Sequence, residues 1–254
     1  MDIIQSLILG IVQGMTEFLP VSSSGHLVLF QKLFGLREAP IFFDTLVHLA
    51  TLLAVVFYLR KDIINILMNL KRNANLIICI IIGTLPAVAF GLFFKKEIEA
   101  TFDSLPLLSA GFFVTAILLF LTKFFKEGEK DLSKINWIDS LLIGVFQAVS
   151  ILPSISRSGS TISAGLFRGI KREDAFKFSF LLSIPAIFGA MVLQIFDFDW
   201  NNLDGGFLVN FIGFLTAAIF GFLSLKFLEK IAVKGKLYYF ATYCLILAIL
   251  VLFL

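Results

Sequence analysis

Long apolar runs alternate with short polar segments along nearly the whole chain. Two apolar regions, residues 3–36 and 138–168, are interrupted near their middle by a polar stretch that contains proline and serine, so neither half is long enough to cross a bilayer. We predict that each forms a re-entrant helical hairpin, which enters and leaves the membrane on the same side. The other apolar runs have the length of about 17–25 residues that a transmembrane helix needs. These six predicted spans cover residues 42–59, 74–94, 105–122, 175–195, 207–225 and 237–254.

Composition supports a membrane protein over a soluble one. The 254 residues are 59% hydrophobic and only 15% charged, whereas soluble domains carry about 25% charged residues. The mean hydropathy is +0.97. The core of a soluble protein of this size could not bury that much apolar surface. We therefore predict an all-α polytopic membrane protein that forms one integral membrane domain over residues 1–254. The net charge of +3 gives no reason to expect nucleic acid as a partner.

The two interrupted regions also resemble each other in sequence. A leucine-proline step follows in both, at Leu19-Pro20 and Leu152-Pro153, one residue out of phase. This similarity predicts two repeats, residues 1–125 and 134–254. Three spans separate the hairpins, so the repeats should be inverted relative to each other. The matching positions, at a constant offset of 134, are Ser6, Gly10, Gln13 and Gly25 with Ser140, Gly144, Gln147 and Gly159.

The distribution of basic residues tests this topology independently. Cytoplasmic loops of membrane proteins carry an excess of Lys and Arg. The segments assigned inside (60–73, 123–136, 168–174 and 226–236) hold 15 of them, against 4 in the segments assigned outside (1–5, 32–41, 95–104 and 197–206). The asymmetry predicts both termini outside. The hairpins then enter from opposite faces, and their tips can meet near the midplane, where inverted repeats with broken helices usually bind their ligand.

Polar side chains concentrate at the two predicted tips. So many polar side chains between apolar stretches are energetically costly in lipid, and they indicate a functional site. A purely structural ion pair between Glu17 and Arg157 is the competing interpretation, although it does not exclude function. Asp44 and His48, near the outer end of a span, are interpreted as interfacial or packing residues. The tips carry Glu17, Ser22, Ser23, Ser24 and His26 in the first hairpin, and Ser154, Ser156, Arg157, Ser158, Ser160 and Thr161 in the second.

Local sequence signals favour phosphate at these tips. Pro20 should end the first hairpin's leading helix, and the serines after it are good N-caps for a second half-helix. Ser156 can cap a helix that starts near Arg157 in the same way. The N-terminus of a helix offers free N–H groups and a positive dipole end to an anion, and a guanidinium adds a forked donor. Hydroxyls and a histidine beside them supply candidates for nucleophile and proton transfer.

These motifs resemble those of the undecaprenyl-diphosphate phosphatase family, the bacitracin-resistance type of bacterial membrane enzyme. The first motif runs from Gln13, at a position where the family has Glu or Gln, through Glu17 to His26. The second comprises residues 153–159 and Thr161, with Ser154 where the family usually has glycine. That departure could narrow the backbone freedom of the turn. Residues 178–185 are also similar, and the likeness covers essentially the whole chain.

The resemblance implies that the protein removes the terminal phosphate from a C55 polyprenyl diphosphate, which regenerates the lipid carrier of peptidoglycan synthesis. It implies a divalent cation, Mg²⁺ or Ca²⁺, and an active site that is reached from the outer face of the bacterial plasma membrane. The family's functional residues fall on Glu17, Ser23, His26, Ser156, Arg157 and Thr161.

Physical roles can be given to the same residues. Arg157 and the helix N-termini would hold the diphosphate, with substrate contacts from Gln13, Ser22, Ser24, Ser156, Ser158, Ser160 and Thr161. Glu17 would bind the cation. Ser23 is the candidate nucleophile with His26 as its proton carrier, and direct attack by water with His26 as base stays open.

Two other function classes compete with a phosphatase. A secondary transporter or lipid flippase also uses inverted repeats and would move its substrate without releasing phosphate. A structural scaffold would have no use for Arg, Glu and His together at membrane depth. The expected partners are a polyprenyl diphosphate lipid and the bilayer, and the sequence leaves a homodimer open.

Overall fold

The computed structural model describes residues 1–36, 41–196 and 206–254. This part of the chain is helical and contains no strand, only one isolated bridge between Lys130 and Ile170. Two short 3₁₀ helices, Thr122–Phe124 and Leu132–Lys134, precede the second hairpin. The α-helices are α1 (Ile3–Phe18), α2 (Ser23–Leu33), α3 (Ile41–Tyr58), α4 (Arg60–Met68), α5 (Ala74–Phe93), α6 (Lys95–Thr101), α7 (Leu105–Leu121), α8 (Trp137–Val149), α9 (Arg157–Phe167), α10 (Arg172–Phe196), α11 (Phe207–Val233) and α12 (Tyr239–Val251).

Four stretches within the described residues are long and apolar enough to cross a bilayer: Ala74–Phe93, Leu105–Phe124, Arg172–Gln194 and Phe207–Val233. A fifth candidate is the pair α3 and α4, which is bent by 68° at Leu59. The predicted span 237–254 corresponds to α12, which is only 13 residues long. Several helices therefore have the character of membrane spans, whereas the count of six stays a prediction.

The outer surface of these helices is apolar. Phe93, Phe207 and Phe253 are each more than 80% exposed, and large aliphatic side chains line the outward faces of α5, α11 and α12 in the same way. A soluble protein rarely exposes apolar patches of this extent. The surface is therefore that of a helical membrane protein, as the composition predicts.

Small residues allow the hairpin helices to pack closely on long helices. α1 packs along α11, and α8 packs along α5. A methyl group added to Gly10 would lie 2.5 Å from the carbonyl oxygen of Gly213, and one added to Gly144 would lie 2.4 Å from that of Gly83. Such contacts bring two backbones together, which is how helices associate in membranes.

Both predicted hairpins have the expected interruption. α1 ends at Phe18, two residues before Pro20, and α8 ends at Val149 before the turn that contains Pro153. Each turn includes a serine with a left-handed backbone, Ser22 with φ of 70° and Ser154 with φ of 63°. Left-handed geometry strains a residue with a side chain, so the family's usual glycine at position 154 matches the conformation that this turn requires.

The two hairpin tips touch each other. A methyl group on Gly25 would lie 2.5 Å from Ser154 Oγ, and one on Gly159 would lie 3.3 Å from Pro20 Cβ. The turns of both hairpins therefore meet, together with the first residues of α2 and α9. The polar segments, which are far apart in the sequence, therefore lie together in the structure.

Candidate functional site

Glu17 is the centre of the site. It lies at the end of α1, and its side chain is 8% exposed. Arg157 Nη2 donates to Oε1 at 2.7 Å, while Oε2 accepts from Ser23 Oγ at 2.7 Å and from Gln13 Nε2 at 3.2 Å. The structure thus brings three residues of the two motifs into direct contact with the Glu17 carboxylate.

One side of the Arg157 guanidinium is paired and the other is not. It is the first residue of α9, and its guanidinium lies over the Phe180 ring, with 5.6 Å from Cζ to the ring centroid. Nη2 binds Glu17, but Nη1 is buried without a hydrogen-bond partner among the described residues. A buried, unpaired N–H of a cation is costly. An acceptor such as a phosphate oxygen could pair with Nη1.

The serines of both tips cap the helices that follow, as predicted. Ser22 Oγ accepts from the Gly25 amide at 3.5 Å, and Ser156 Oγ accepts from the Gly159 amide at 3.1 Å. Each capping hydroxyl also contacts a second one, Ser22 with Ser24 at 3.2 Å and Ser156 with Ser158 at 3.3 Å. The N-termini of α2 and α9 consequently present hydroxyls and amides to the same region.

The hydroxyls farther along α9 differ in their surroundings. Thr161 Oγ1 donates to the Arg157 carbonyl at 2.8 Å and lies 2.6 Å from Ser179 Oγ on α10. Thr161 therefore also helps to pack α9 against α10, in addition to its expected role in substrate binding. The hydroxyls of Ser154 and Ser160 are buried and have no partner in the described part of the chain.

His26 has partners that the sequence did not predict. Its Nδ1 lies 2.6 Å from the Ser22 carbonyl oxygen and its Nε2 lies 2.7 Å from the hydroxyl of Tyr243. The Ser23 hydroxyl donates to Glu17 instead. Direct proton transfer from Ser23 to His26 would therefore require Ser23 to leave Glu17 and His26 Nε2 to leave Tyr243, and that role stays a prediction.

Sequence reasoning missed several residues that hold the site. Thr115 on α7 donates to the Ser154 carbonyl at 3.1 Å and accepts from the Ser156 amide at 3.0 Å, which fixes the second turn. Thr115 and Tyr243 lie in ordinary apolar helices and give no sequence signal. Ser179 and Phe180 fall within the stretch 178–185, where the resemblance was already visible.

α3 adds two further polar side chains. His48 Nδ1 donates to the Asp44 carbonyl at 2.7 Å, and His48 lies close enough to Glu17 to interact with it electrostatically. Asp44 Oδ1 is buried without a hydrogen-bond partner among the described residues. His48, interpreted from the sequence as an interfacial or packing group, therefore borders the site.

The residues present fit a cation that arrives with a phosphorylated ligand. Within the described ranges, no group of three or more His, Cys, Asp and Glu side chains could hold a metal by itself. Mg²⁺ needs only one or two carboxylates when phosphate oxygens complete its shell. Glu17 offers a carboxylate, and the buried, unpartnered Gln13 Oε1 beside it offers a second hard oxygen.

Comparison with known proteins places the chain among related sequences. A relative from Carboxydothermus hydrogenoformans, named undecaprenyl-diphosphatase, is 48% identical over 257 residues, covering 100% of this chain and 98% of its own. Relatives of the same name from Thermosipho africanus and Methanobrevibacter smithii are 43% and 42% identical, covering 97% and 99% of this chain and 98% and 97% of their own. The profile of the family described as "Bacitracin resistance protein BacA" matches residues 6–250. Because that match includes both hairpins and the helices that support them, the chain belongs to the bacitracin resistance protein BacA family.

Proposed function

We propose that this protein hydrolyses undecaprenyl diphosphate to undecaprenyl phosphate and inorganic phosphate, and so recycles the lipid carrier of cell-wall synthesis. The observation that carries the proposal is the guanidinium of Arg157. Its Nη2 is fixed by Glu17, while its buried Nη1 has no partner in the described residues. Two capped helix N-termini lie beside it. This combination favours a phosphate group, and the relatives' printed name supplies the lipid.

Ser23 is the proposed nucleophile. Its Oγ attacks the terminal phosphorus, the bond from that phosphorus to the bridging oxygen breaks, and undecaprenyl phosphate leaves. The Ser23 proton passes to Glu17 Oε2, which already accepts that hydrogen at 2.7 Å. Water then hydrolyses the phosphoserine, which releases phosphate and restores the hydroxyl. Direct attack by water stays the alternative, and a trapped phosphoenzyme would separate the two.

Arg157 supplies the main electrostatic stabilisation. Phosphoryl transfer needs little covalent chemistry from the protein, so positioning and charge stabilisation dominate. Nη1 and the amides at the start of α9 can bind oxygens of the transferring group while charge develops on them. A divalent cation, Mg²⁺ or Ca²⁺, would be held by Glu17 and Gln13 Oε1 and would neutralise charge on the diphosphate.

The inverted repeat is the proposed architecture, and matched hydrogen bonds support it. Ser6 Oγ donates to the Val209 carbonyl at 2.5 Å, and Ser140 Oγ donates to the Cys79 carbonyl. The serines lie 134 positions apart, and Val209 lies 130 positions after Cys79. Each hairpin thus uses the same serine to bind the corresponding long helix of the other repeat.

Glycine contacts follow the same reciprocal pattern. Gly10 packs on Gly213, and Gly144 packs on Gly83. Gly144 lies 134 positions after Gly10, and Gly213 lies 130 positions after Gly83. Such exchange between residues 1–125 and 134–254 is what a twofold relationship in the membrane plane would produce. We therefore retain the six spans and two re-entrant hairpins as the proposed topology.

The proposed location is the bacterial plasma membrane, with both termini outside and the site open to the outer face. The support is the excess of Lys and Arg in the inside segments. Residues 37–40 and 197–205, which this assignment uses, lie outside the described residues. The lipid tail would lie against the apolar outer surface, and a homodimer is compatible with this arrangement.

A phosphate-release assay tests the function. Purified wild-type protein with undecaprenyl diphosphate and Mg²⁺ should release phosphate, and Arg157→Ala should release far less. The competing class, a flippase or anion-coupled transporter, predicts movement of labelled lipid across proteoliposomes without phosphate release. Transport without hydrolysis by a well-folded preparation would replace the proposed function with that class.

A further inference from the structure

α12 supports the tip of the first hairpin through two consecutive residues. The hydroxyl of Tyr243 lies 2.7 Å from His26 Nε2, and Cys244 Sγ donates to the Pro20 carbonyl at 3.7 Å. These residues lie more than 200 positions from the hairpin in the sequence. The contact is specific, because it uses a side-chain hydroxyl and a ring nitrogen rather than apolar packing alone.

The partners of His26 fix which ring nitrogen carries the proton. The carbonyl oxygen of Ser22 can only accept, so the Nδ1 atom beside it must donate. In a neutral imidazole the other nitrogen is then an acceptor. Tyr243 therefore donates its O–H to Nε2, and if His26 gains a proton, the phenol oxygen can accept the new N–H.

Two aromatic rings hold the imidazole in this orientation. Tyr243 lies parallel to it, with 5.7 Å between centroids and 4° between planes, and Phe112 meets it edge-on at 5.6 Å. His26 is 5% exposed, whereas Tyr243 is 44% exposed. The phenol thus connects a buried imidazole to the periphery of the protein.

We propose that Tyr243 is a positioning residue for the phosphatase reaction: its hydroxyl occupies the basic Nε2 of His26, while the Ser22 carbonyl keeps the proton on Nδ1. This inference rests on the proposed function. With Nε2 occupied, His26 does not compete with Glu17 for the Ser23 proton, and any proton that His26 takes up is shared with the Tyr243 hydroxyl.

The test is Tyr243→Phe, which keeps the ring and removes only the hydroxyl. Tyr239→Phe is the matched control, since Tyr239 lies one turn earlier on α12, is 58% exposed and contacts Tyr238 and Lys236 instead. The chain has only two histidines, so ¹⁵N-histidine spectra can be assigned with His26→Gln. Steady-state kinetics over a range of pH complete the comparison.

We expect the His26 Nε2 resonance to shift in Tyr243→Phe, because this nitrogen loses the phenol donor, while the Ser22 carbonyl keeps the proton on Nδ1. The kcat should fall roughly two- to tenfold, the range for loss of one hydrogen bond, with an altered pH profile and little change in KM. The control should match wild type in every readout. An unchanged His26 spectrum in Tyr243→Phe would overturn the inference, and so would a kcat and pH profile equal to those of wild type. Absence of phosphate release by the wild type would instead reject the proposed function, because the spectra report the hydrogen bond at Nε2 without turnover.

Discussion

Arg157 Nη2 donates to Glu17 Oε1 at 2.7 Å, although the two residues lie 140 positions apart. The bond joins the N-terminus of α9 to the C-terminal end of α1, so it links the two hairpins at their tips. Both side chains are largely buried, with 15% and 8% exposed. The pair is thus both a structural link and the charged core of the site, and substitutions must separate these two roles.

Arg157→Lys should not be a conservative change. A guanidinium can bind Glu17 and a phosphate oxygen with separate N–H groups, whereas an ammonium acts as a compact point charge. Loss of one oriented transition-state donor typically reduces the rate by about 10²–10³. We expect Lys to lie near the low end and Ala to be much worse, as measured by phosphate release. A well-folded Lys variant within about threefold of wild type would show that charge alone suffices.

Stability controls accompany these variants. Arg157→Ala leaves the Glu17 carboxylate buried and uncompensated, which costs about 3 kcal/mol or more. Combining it with Glu17→Gln should recover much of the thermal stability but none of the activity. If activity returned together with stability, Arg157 would act only as a structural partner.

Glu17→Gln tests the carboxylate directly. The amide loses the negative charge that the proposed cation and the Ser23 proton both need, so turnover should nearly vanish and added Mg²⁺ should restore little. Gln13→Glu is the matched variant one turn earlier, and it should be tolerated because the family accepts either residue there. Activity assays across a Mg²⁺ titration provide the measurement. Wild-type turnover in Glu17→Gln would remove this residue from the mechanism.

Ser154→Gly should stabilise the protein. Ser154 has a φ of 63° and a buried hydroxyl without a partner in the described residues, and the left-handed conformation alone costs about 1 kcal/mol for a residue with a side chain. Ser154→Ala removes the hydroxyl but keeps the strain, so thermal midpoints should rank Gly above Ala, with Ala at or above wild type. A Gly variant that melts below wild type would contradict this account.

The topology can be tested by labelling single cysteines. Asn69, at the end of α4, and Lys96, on α6, are exposed and belong to segments assigned to opposite faces. With Cys79 and Cys244 replaced by alanine, a membrane-impermeant thiol reagent should reach Lys96→Cys from outside and Asn69→Cys only after lysis. Asn202, which lies outside the described residues, offers a second outside position. Labelling of both Lys96→Cys and Asn69→Cys from the same side of the membrane would reject the inverted arrangement.

The sequence by itself determined the features that depend on local chemistry. A proline followed by several serines interrupts an apolar run, and a serine before a helix caps it, so the breaks at Pro20 and Pro153 and the caps at Ser22 and Ser156 were predictable. A proline alone does not end a helix here, because Pro86 and Pro185 lie inside α5 and α10. The high proportion of apolar residues likewise indicated that the protein lies in a membrane. The repeated Ser6 and Ser140 indicated that the two regions are related, but not which carbonyls these serines bind.

Only the tertiary structure decided which side chains pair. His26 lies three residues from Ser23 and one helical turn would allow a contact, yet Ser23 binds Glu17 and His26 binds Tyr243. Tyr243 carries no local signal, because a tyrosine in an apolar helix is ordinary until the fold brings another chain segment against it. Hydrogen-bond partners are chosen by distance and direction in space, and residues separated by 140 or 217 positions acquire them only when the helices pack.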